Sequence, residues 1–260
     1  AKAGHTGTLD PLATGLLPLC FGEATKFSAD LLDADKTYVA TLKLGLTTDS
    51  GDAEGEITST RPVNCGEVDL QALLPRFTGD IEQVPPMHSA LKRDGRPLYE
   101  LARQGITVER QPRAVTIHAI ELLAFAGDEA TLRVSCSKGT YIRSLAMDLG
   151  EALGCGAHLI ALRRTEVADL KVDRAVTLEA LEPMSEADRL QLLSPVDALL
   201  QSLPRVDLEG DQRFGFGNPV AAPAGIIGKC RVYNDGTLIG LGEVRDGLEI
   251  WPKRLVQLAI

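Results

Sequence analysis

GHTGTLDPLATGLLP, residues 4–18, sets one aspartate, Asp10, between glycines and directly before Pro11. Aspartate is a preferred helix N-cap and proline is favoured at the first helical position, so Asp10 is a candidate cap for a helix that begins at Pro11. A carboxylate on a tight, glycine-flanked loop can also approach a substrate closely. The residues leave both interpretations open, a helix cap and a reacting group, and the two are compatible.

The charge of the chain is unevenly distributed. A net charge of -9 over 260 residues argues against indiscriminate binding to nucleic acid, because attraction to phosphates begins with a positive field. Residues 86–114 nevertheless carry six basic and three acidic side chains, whereas residues 179–212 carry eight acidic and two basic ones. An acidic body with a basic segment fits a selective polyanion binder. On composition alone, ordinary charge scatter on a solvated face remains an equal alternative.

Composition also argues against several classes of protein. The chain has no apolar run near the roughly 18 residues that span a bilayer and no apolar leader, which predicts a cytoplasmic protein. Its five cysteines are scattered, without a C-x-x-C pair, and are interpreted as reduced thiols. Its four histidines show no i, i+4 pairing. We therefore expect neither a disulfide framework nor a metal site.

Hydrophobic periodicity predicts helices and strands along the first part of the chain. Residues 23–32 have helical spacing, and KTYVATLKLGL alternates so that Tyr38, Ala40 and Leu42 share one side of a strand. Residues 132–136 alternate again, SKGT interrupts them, and YIRSLAMDLGEALG returns to helical spacing. This pattern places Tyr141 and Arg143 where a strand turns into a helix, a common position for functional side chains.

The end of the chain has a different character. Residues from 185 on are acidic and leucine-rich, which indicates helix. CRVYNDGTLIGLGEVRDGLEIWP then contains alternating runs joined at Asp235-Gly236 and Asp246-Gly247, and Asp-Gly is a strong hairpin signal. A small β-rich C-terminal domain is predicted.

The segment AGHTGTLDPLATGLLPLCFGEATKF closely resembles the signature of the bacterial TruB-type tRNA pseudouridine synthases. Further segments match in the family's order, namely DKTYVATLKLGLTTDSGDAEGEI, RFTGDIEQVPPMHSALKRDGRPLYELARQG and SCSKGTYIRSLAMDLGEALGCGAHLIALRRT. The resemblance implies an α+β fold, with a mixed, largely antiparallel sheet, flanking helices and a small β-rich, PUA-like C-terminal domain. It implies a catalytic domain over residues 1–203, with a basic RNA-gripping insertion at about 80–113, and the PUA-like domain over residues 204–260.

The same resemblance implies a function. Family members isomerise uridine to pseudouridine at position 55 in the T-loop of tRNA, by flipping the base, without a cofactor or a metal. The expected partner is the tRNA T-arm stem-loop, and we expect a monomer and no membrane. Two alternatives stay open: an RNA-binding or tRNA-folding module in which catalysis is incidental, and, ranked last, an unrelated enzyme with an aspartyl nucleophile that acts on a small sugar or nucleoside.

Catalytic roles follow from the matched positions. The resemblance makes Asp10 the nucleophile, which attacks uracil C6 or ribose C1', two routes that the sequence does not separate. It makes Arg143 the guanidinium that keeps this carboxylate charged, since an adjacent cation opposes the effect of burial. Tyr38 corresponds to the tyrosine that stacks on the target base, positioned for proton transfer at C5, and Tyr141 and Leu162 to residues lining the uracil pocket.

RNA-binding positions follow in the same way. His5 corresponds to a histidine that enters the RNA and fills the space left by the flipped base. The candidate phosphate contacts are Lys92, Arg96, Arg103, Lys138, Arg163 and Arg164. The sequence departs from the family in two respects. Bacterial members carry an upstream strand and a Lys-Pro loop, so we expect an N-terminal part to be missing before Ala1, and His88 stands where tyrosine is common.

Overall fold

The structure is a computed structural model that describes residues 2–93 and 95–256. Two compact units are present. The major unit comprises Gly7–Pro18 and Leu32–Ala175, and the C-terminal unit comprises Leu19–Leu31 with the described residues before Gly7 and after Ala175. The domain boundary predicted between residues 203 and 204 stays a prediction, and residues 257–260 of that predicted domain lie outside the described residues.

The strands are β1 (Ala3–His5), β2 (Ala13–Gly15), β3 (Leu19–Phe21), β4 (Lys36–Leu44), β5 (Leu46–Thr48), β6 (Ile57–Thr60), β7 (Gly79–Gln83), β8 (Lys92–Arg93), β9 (Arg96–Pro97), β10 (Arg113–Ala126), β11 (Glu129–Cys136), β12 (Ala157–Val167), β13 (Leu170–Lys171), β14 (Arg205–Leu208), β15 (Val220–Ala221), β16 (Lys229–Asn234), β17 (Thr237–Arg245) and β18 (Glu249–Leu255). The α-helices are α1 (Ser28–Leu32), α2 (Glu67–Leu73), α3 (Leu98–Ala102), α4 (Ile142–Ala152), α5 (Leu178–Leu181) and α6 (Glu186–Gln191). None of the helices in the described ranges has the length and apolar character that crossing a bilayer requires.

The major unit is built on one sheet. Its order is β13-β12-β4-β11-β10-β7, and β2 adds to β12. Only the β2–β12 pairing is parallel among the described strands of this sheet, and the other pairings are antiparallel. The predicted α+β fold with a mixed, largely antiparallel sheet is therefore confirmed.

Alternation along the central strand explains the core. In β4, Ala40, Leu42 and Leu44 are buried while the intervening side chains are partly exposed, which follows from the two-residue period of a strand. Helix α4 packs on β12, and its Leu145 and Leu149 enter the same apolar cluster as β4. Tyr141 is the N-cap of α4, so the predicted strand-to-helix junction is confirmed.

The basic segment forms a small substructure of its own. Strands β8 and β9 pair as a short hairpin, α3 follows, and Met87, Leu98 and Leu101 pack together beneath them. This substructure follows β7 and corresponds to the insertion predicted at about 80–113. From here on, the insertion means residues 84–113.

The C-terminal unit has a second sheet. Five strands lie in the order β14-β16-β17-β18-β15, and Phe214, Val232 and Ile250 are fully buried in its core. Both predicted Asp-Gly turns are present, with positive φ at Asp235 (48°) and Gly236 (76°) and again at Asp246 (53°) and Gly247 (68°). Asp and Gly tolerate this left-handed backbone, which explains why they occupy the turns. The predicted β-rich C-terminal domain is thus confirmed.

Candidate active site

The loop that carries Asp10 leads into a strand rather than a helix. The amide of Ala13 donates to the carbonyl of Asp10 at 2.8 Å, which closes a turn over Pro11, and β2 begins at Ala13. The alternative in which Asp10 caps a helix is therefore wrong: pairing of β2 with β12 supplies the backbone hydrogen bonds that a helix would have provided. Asp10 stands on irregular backbone, held at its C-terminal side by the sheet.

Arg164 fastens both ends of this loop. Its main-chain oxygen accepts from the amide of Leu16 at 2.8 Å, and its side-chain Nε donates to the carbonyl of Leu16 at 2.8 Å. Its Nη2 donates to the carbonyl of Gly7 at 3.1 Å. Only 2% of Arg164 is exposed. The prediction that Arg164 contacts phosphate is wrong, because strand β12 turns the side chain inward and the carbonyls of Leu16 and Gly7 accept from it.

Gly15 allows the close approach of the two strands. It has a φ of 103°, a conformation that side chains disfavour, and it is paired with Arg164 in the parallel register. A Cβ at this position would collide with the carbonyl group of Arg164. Glycine is thus required where the Asp10 loop joins the sheet.

Arg143 is the centre of the charged network. Its Nε lies 2.9 Å from Oδ2 of Asp10, and its Nη1 lies 3.5 Å from Oδ2 of Asp52. Its Nη1 also donates to the carbonyl of Ser50 at 3.1 Å and its Nη2 to that of His88 at 2.7 Å. Only 4% of the Arg143 side chain is exposed, so these contacts fix the guanidinium in one orientation.

The Asp10 carboxyl is less acidic than a free aspartate. Burial raises its pKa, the adjacent Arg143 lowers it, and the negative charge of Asp52 raises it again. The raised pKa means that the charged form costs more inside the fold than in water. A carboxylate whose pKa is raised is more basic than that of a free aspartate, which favours reaction with an electrophile.

A cavity of about 120 Å³ lies beside Asp10. Tyr38 reaches it from β4, where it pairs with Arg164 of β12, and burial raises the pKa of the phenol while the Arg164 guanidinium opposes that rise. The phenol is therefore neutral at physiological pH. The cavity is lined by Thr8, Leu9, Asp10, Ala13, Tyr38, Thr140, Tyr141, Ile142, Leu162 and Arg164.

Gln83, the last residue of β7, sets the position of Tyr141. Its Oε1 accepts from the amide of Tyr141 at 3.0 Å, and its Nε2 donates to the carbonyl of Tyr141 at 3.3 Å. Only 2% of Gln83 is exposed. The Gln83 side-chain amide thus bonds to both backbone polar groups of Tyr141, as a neighbouring strand would, and so fixes the backbone two residues before Arg143.

The structure brings Asp10, Tyr38, Tyr141 and Leu162 together at one cavity, and Arg143 lies beside it through its ion pair with Asp10. Arg164 also lines this cavity. The roles predicted for His5, Lys92, Arg96, Arg103, Lys138 and Arg163 stay predictions. Exposed side chains are found for His5 on β1 of the C-terminal unit, for Lys92, Arg96 and Arg103 in the insertion, for Lys138, which is 3.0 Å from Asp33, and for Arg163, whose Nη1 is 3.4 Å from Thr14.

Sequence reasoning missed Asp52 and Gln83. Asp52 lies in a turn where aspartate is ordinary, so no local signal singles it out. Gln83 did have a local signal. The two-residue period of β7 puts it on the same side as Ile81, facing the core, where a polar side chain needs hydrogen-bond partners. Among the described residues no three His, Cys, Asp or Glu side chains form a metal-binding group.

Three sequence profiles match the chain. The profile described as "TruB family pseudouridylate synthase (N terminal domain)" matches residues 1–142. The profile described as "tRNA pseudouridylate synthase B C-terminal domain" matches residues 143–201, and "Pseudouridine synthase II TruB, C-terminal" matches residues 204–256.

Known proteins resemble the chain over nearly its whole length. "tRNA pseudouridine synthase B" of Dechloromonas aromatica (strain RCB) is 69% identical, covering 100% of this chain and 87% of that protein. The protein of the same name from Ralstonia nicotianae is 60% identical, covering 99% and 86%. Among solved structures, "Crystal Structure of a Cbf5-Nop10-Gar1 Complex" contains a chain that is 27% identical, with a TM-score of 0.72 and coverage of 98% of this chain and 76% of that one. The chain therefore belongs to the TruB family of pseudouridylate synthases.

Proposed function

We propose that this protein isomerises uridine to pseudouridine at position 55 in the T-loop of tRNA, with Asp10 as the nucleophile. The observation that carries the proposal is the ion pair of Asp10 with the buried Arg143, beside a cavity lined by Tyr38, Tyr141 and Leu162. The relatives named tRNA pseudouridine synthase B support an isomerase that acts on tRNA. The choice of position 55 follows from the family resemblance.

The reaction needs a group that holds either the uracil or the ribose after their bond breaks, while the base rotates. The bond between ribose C1' and uracil N1 breaks, the base rotates, and C1' bonds to C5; N1 gains a proton and C5 loses one, so the product is an isomer. The Asp10 carboxylate serves this purpose by attack at C6 or at C1'. Arg143 orients the carboxylate and keeps it ionised.

The other cavity residues position the base. Leu162 and Ile142 supply apolar surface, and the Tyr38 ring stacks on the uracil. The neutral Tyr38 hydroxyl lies within the influence of both Arg164 and Asp10, which supports a role in moving the C5 proton. Tyr141, held by Gln83, closes another side of the cavity.

RNA binding must compensate for extracting the base. Flipping costs a few kcal/mol, which contacts along the backbone recover. We assign this binding to the exposed basic residues of the insertion, Lys92, Arg96 and Arg103, to Lys138 and Arg163, and to His5, which fills the space left by the base. We further propose that the protein acts as a monomer on the T-arm stem-loop, in the cytoplasm.

The test is tritium release from a T-arm RNA labelled at uridine C5. The parent protein is expected to release tritium, and Asp10→Asn is expected to release none above background while binding the RNA, because the amide is not a nucleophile. Asp128→Asn, in the exposed turn after β10, is the matched control and is expected to behave as the parent. Carbodiimide modification followed by reverse transcription locates the product, which should lie at position 55.

Two results would contradict the proposal. A folded parent that binds the T-arm but releases no tritium would identify an RNA-binding or RNA-folding module instead. Release that is undiminished in Asp10→Asn would show that another group is the nucleophile.

A further inference from the structure

The insertion contains a second cavity, of about 290 Å³. Its lining includes the apolar side chains of Pro85, Leu91 and Leu98, and Pro85 and Leu98 are themselves buried. This volume is near the lower end of the range for small-ligand sites, so it suits a single compact group.

Most of the charged residues that line this cavity are basic. Lys92, Arg93, Arg110 and Arg113 all line it, and Glu109 is the one acidic residue among the described lining residues. Four cations facing a common space attract an anion, and guanidinium groups are the favoured partners of phosphate oxygens.

Two of these arginines are already held in place. Arg93 donates from Nη1 to the carbonyl of Glu109 at 2.7 Å, and Arg110 donates from Nη1 to the carbonyl of Pro85 at 3.1 Å. Each guanidinium has five N–H donors, so most remain available to a ligand. The Nε of Arg110 is buried and has no acceptor among the described residues. A buried charged donor without an acceptor is costly, and a ligand oxygen would relieve that cost.

We propose that this cavity binds one nucleotide of the substrate RNA, other than the target uridine, with its phosphate on Arg110 and Arg113 and its base or ribose against Pro85, Leu91 and Leu98. The proposal rests on the proposed function, since it takes RNA as the substrate. A free mononucleotide carries the same chemistry and is the competing source.

The location supports the RNA nucleotide. Arg113 pairs with Gln83 across β10 and β7, and Gln83 is hydrogen-bonded to Tyr141, which lines the Asp10 cavity. The two cavities are therefore near neighbours in the major unit. Of the insertion residues predicted from sequence to contact phosphate, Lys92 lines this cavity, whereas Arg96 donates to Gln104 and Arg103 lies over the ring of Tyr99 at 5.5 Å. The cavity thus adds Arg110 and Arg113 to the residues that we assign to RNA binding.

The experiment measures RNA binding by Asp10→Asn protein, so that catalysis does not enter. A set of T-arm RNAs each carries one neutral methylphosphonate in place of a phosphate. One position is expected to weaken binding about tenfold in Asp10→Asn and to cause no further loss when Arg110→Gln is added. Arg113→Gln, at an exposed side chain that should not affect folding, is expected to show the same coupling. Arg76→Gln removes an equal charge outside both cavities and controls for net charge.

A second readout is the salt dependence. Losing one phosphate contact should reduce the slope of log Kd against log salt by about 0.7 to 0.9 in Arg110→Gln, and less in Arg76→Gln. If every methylphosphonate retains its full effect in both Arg110→Gln and Arg113→Gln, the proposal is overturned. Arg110-dependent binding of uridine 5'-monophosphate without any coupling in the RNA set would assign the cavity to a free nucleotide and overturn the RNA assignment. Failure of the proposed function would appear separately, as absence of tritium release by the parent.

Discussion

The Nε of Arg143 lies 2.9 Å from the carboxylate of Asp10, although the arginine side chain is 4% exposed and the aspartate side chain 39% exposed. The arginine therefore belongs to the packed interior, and the aspartate reaches toward it from the cavity. Because the carbonyls of Ser50 and His88 also hold the guanidinium, the cation is positioned before any substrate arrives.

Replacing Arg143 by lysine should reduce turnover while sparing RNA binding. A lysine ammonium keeps the charge but cannot reach Asp10, Ser50 and His88 together, so we expect kcat to fall on the order of 100-fold, about 2.7 kcal/mol. Single-turnover conversion of a T-arm RNA measures the rate. Arg133→Lys, at an exposed ion pair on β11, is the control, and an undiminished rate in Arg143→Lys would contradict the positioning role.

Activity should fall on acidification through the raised pKa of Asp10. In the mechanism that we propose, the reacting form is the carboxylate, so protonation should remove activity at a pH above the usual range for aspartate. The profile of kcat/KM between about pH 4 and about pH 8, which reports the pKa of the protein without substrate, tests this. A profile whose acid limb coincides with the pKa of a free aspartate would contradict the effect of burial.

The same shift predicts a stability effect. A carboxyl whose pKa is raised in the folded state binds its proton more readily there than in the unfolded chain, so its charged form lowers stability above the folded pKa. We expect Asp10→Asn to unfold at a higher temperature than the parent at neutral pH. The difference should shrink as the pH falls through the folded pKa, and equal midpoints at neutral pH would refute this prediction.

Arg164→Lys should affect turnover more than binding. The substitution removes the bonds from Nε and Nη2 that hold Leu16 and Gly7, and we expect kcat to fall at least tenfold with KM changed less than about threefold. Loss of these charge-assisted bonds should also lower the unfolding free energy by about 2–3 kcal/mol. Arg163→Gln, at the exposed neighbouring position, should instead act mainly on KM. A KM effect that dominates in Arg164→Lys would restore the phosphate-contact interpretation.

Gln83→Glu should destabilise the protein in a pH-dependent way. The carboxylate keeps the acceptor for the Tyr141 amide but faces the Tyr141 carbonyl without a donor, so we expect a loss of about 1–3 kcal/mol at neutral pH. At low pH the buried acid is protonated and its hydroxyl can donate to that carbonyl, so the loss should decrease. Gln71→Glu, at an exposed position on α2, is the matched control for urea unfolding at both pH values.

Gly15→Ala should separate the Asp10 loop from the sheet. A Cβ would meet the backbone of Arg164, and backbone cannot give way as a flexible side chain can. We expect a loss of about 2–3 kcal/mol in unfolding free energy together with most of the activity. Gly215→Ala, where a Cβ meets nothing within 4 Å, should cost little in the same measurements.

Elements with a strong period could be predicted from sequence. The alternation at Tyr38, Ala40 and Leu42 predicted β4, the spacing after Tyr141 predicted α4, and the Asp-Gly pairs predicted the hairpins. Each of these patterns is local, so neighbouring residues suffice to reveal it.

Features that depend on distant partners could not be predicted in the same way. The residues around Asp10 are those that commonly start a helix, and only the pairing of Ala13–Gly15 with β12 shows that a strand follows instead. Arg164 follows another arginine, Arg163, and the two differ only in which face of β12 they occupy. Asp52 becomes part of the site only through Arg143, which belongs to a different element.

The clamp between Leu16 and Arg164 joins residues 148 positions apart in the chain. During synthesis, the ribosome therefore releases the Asp10 loop long before the strand that immobilises it. A nascent chain that ends before β12 has the Asp10 carboxylate but lacks the partner that orders its loop, and it should not isomerise uridine. The order of translation thus delays the appearance of a competent enzyme until nearly all of the major unit has been made.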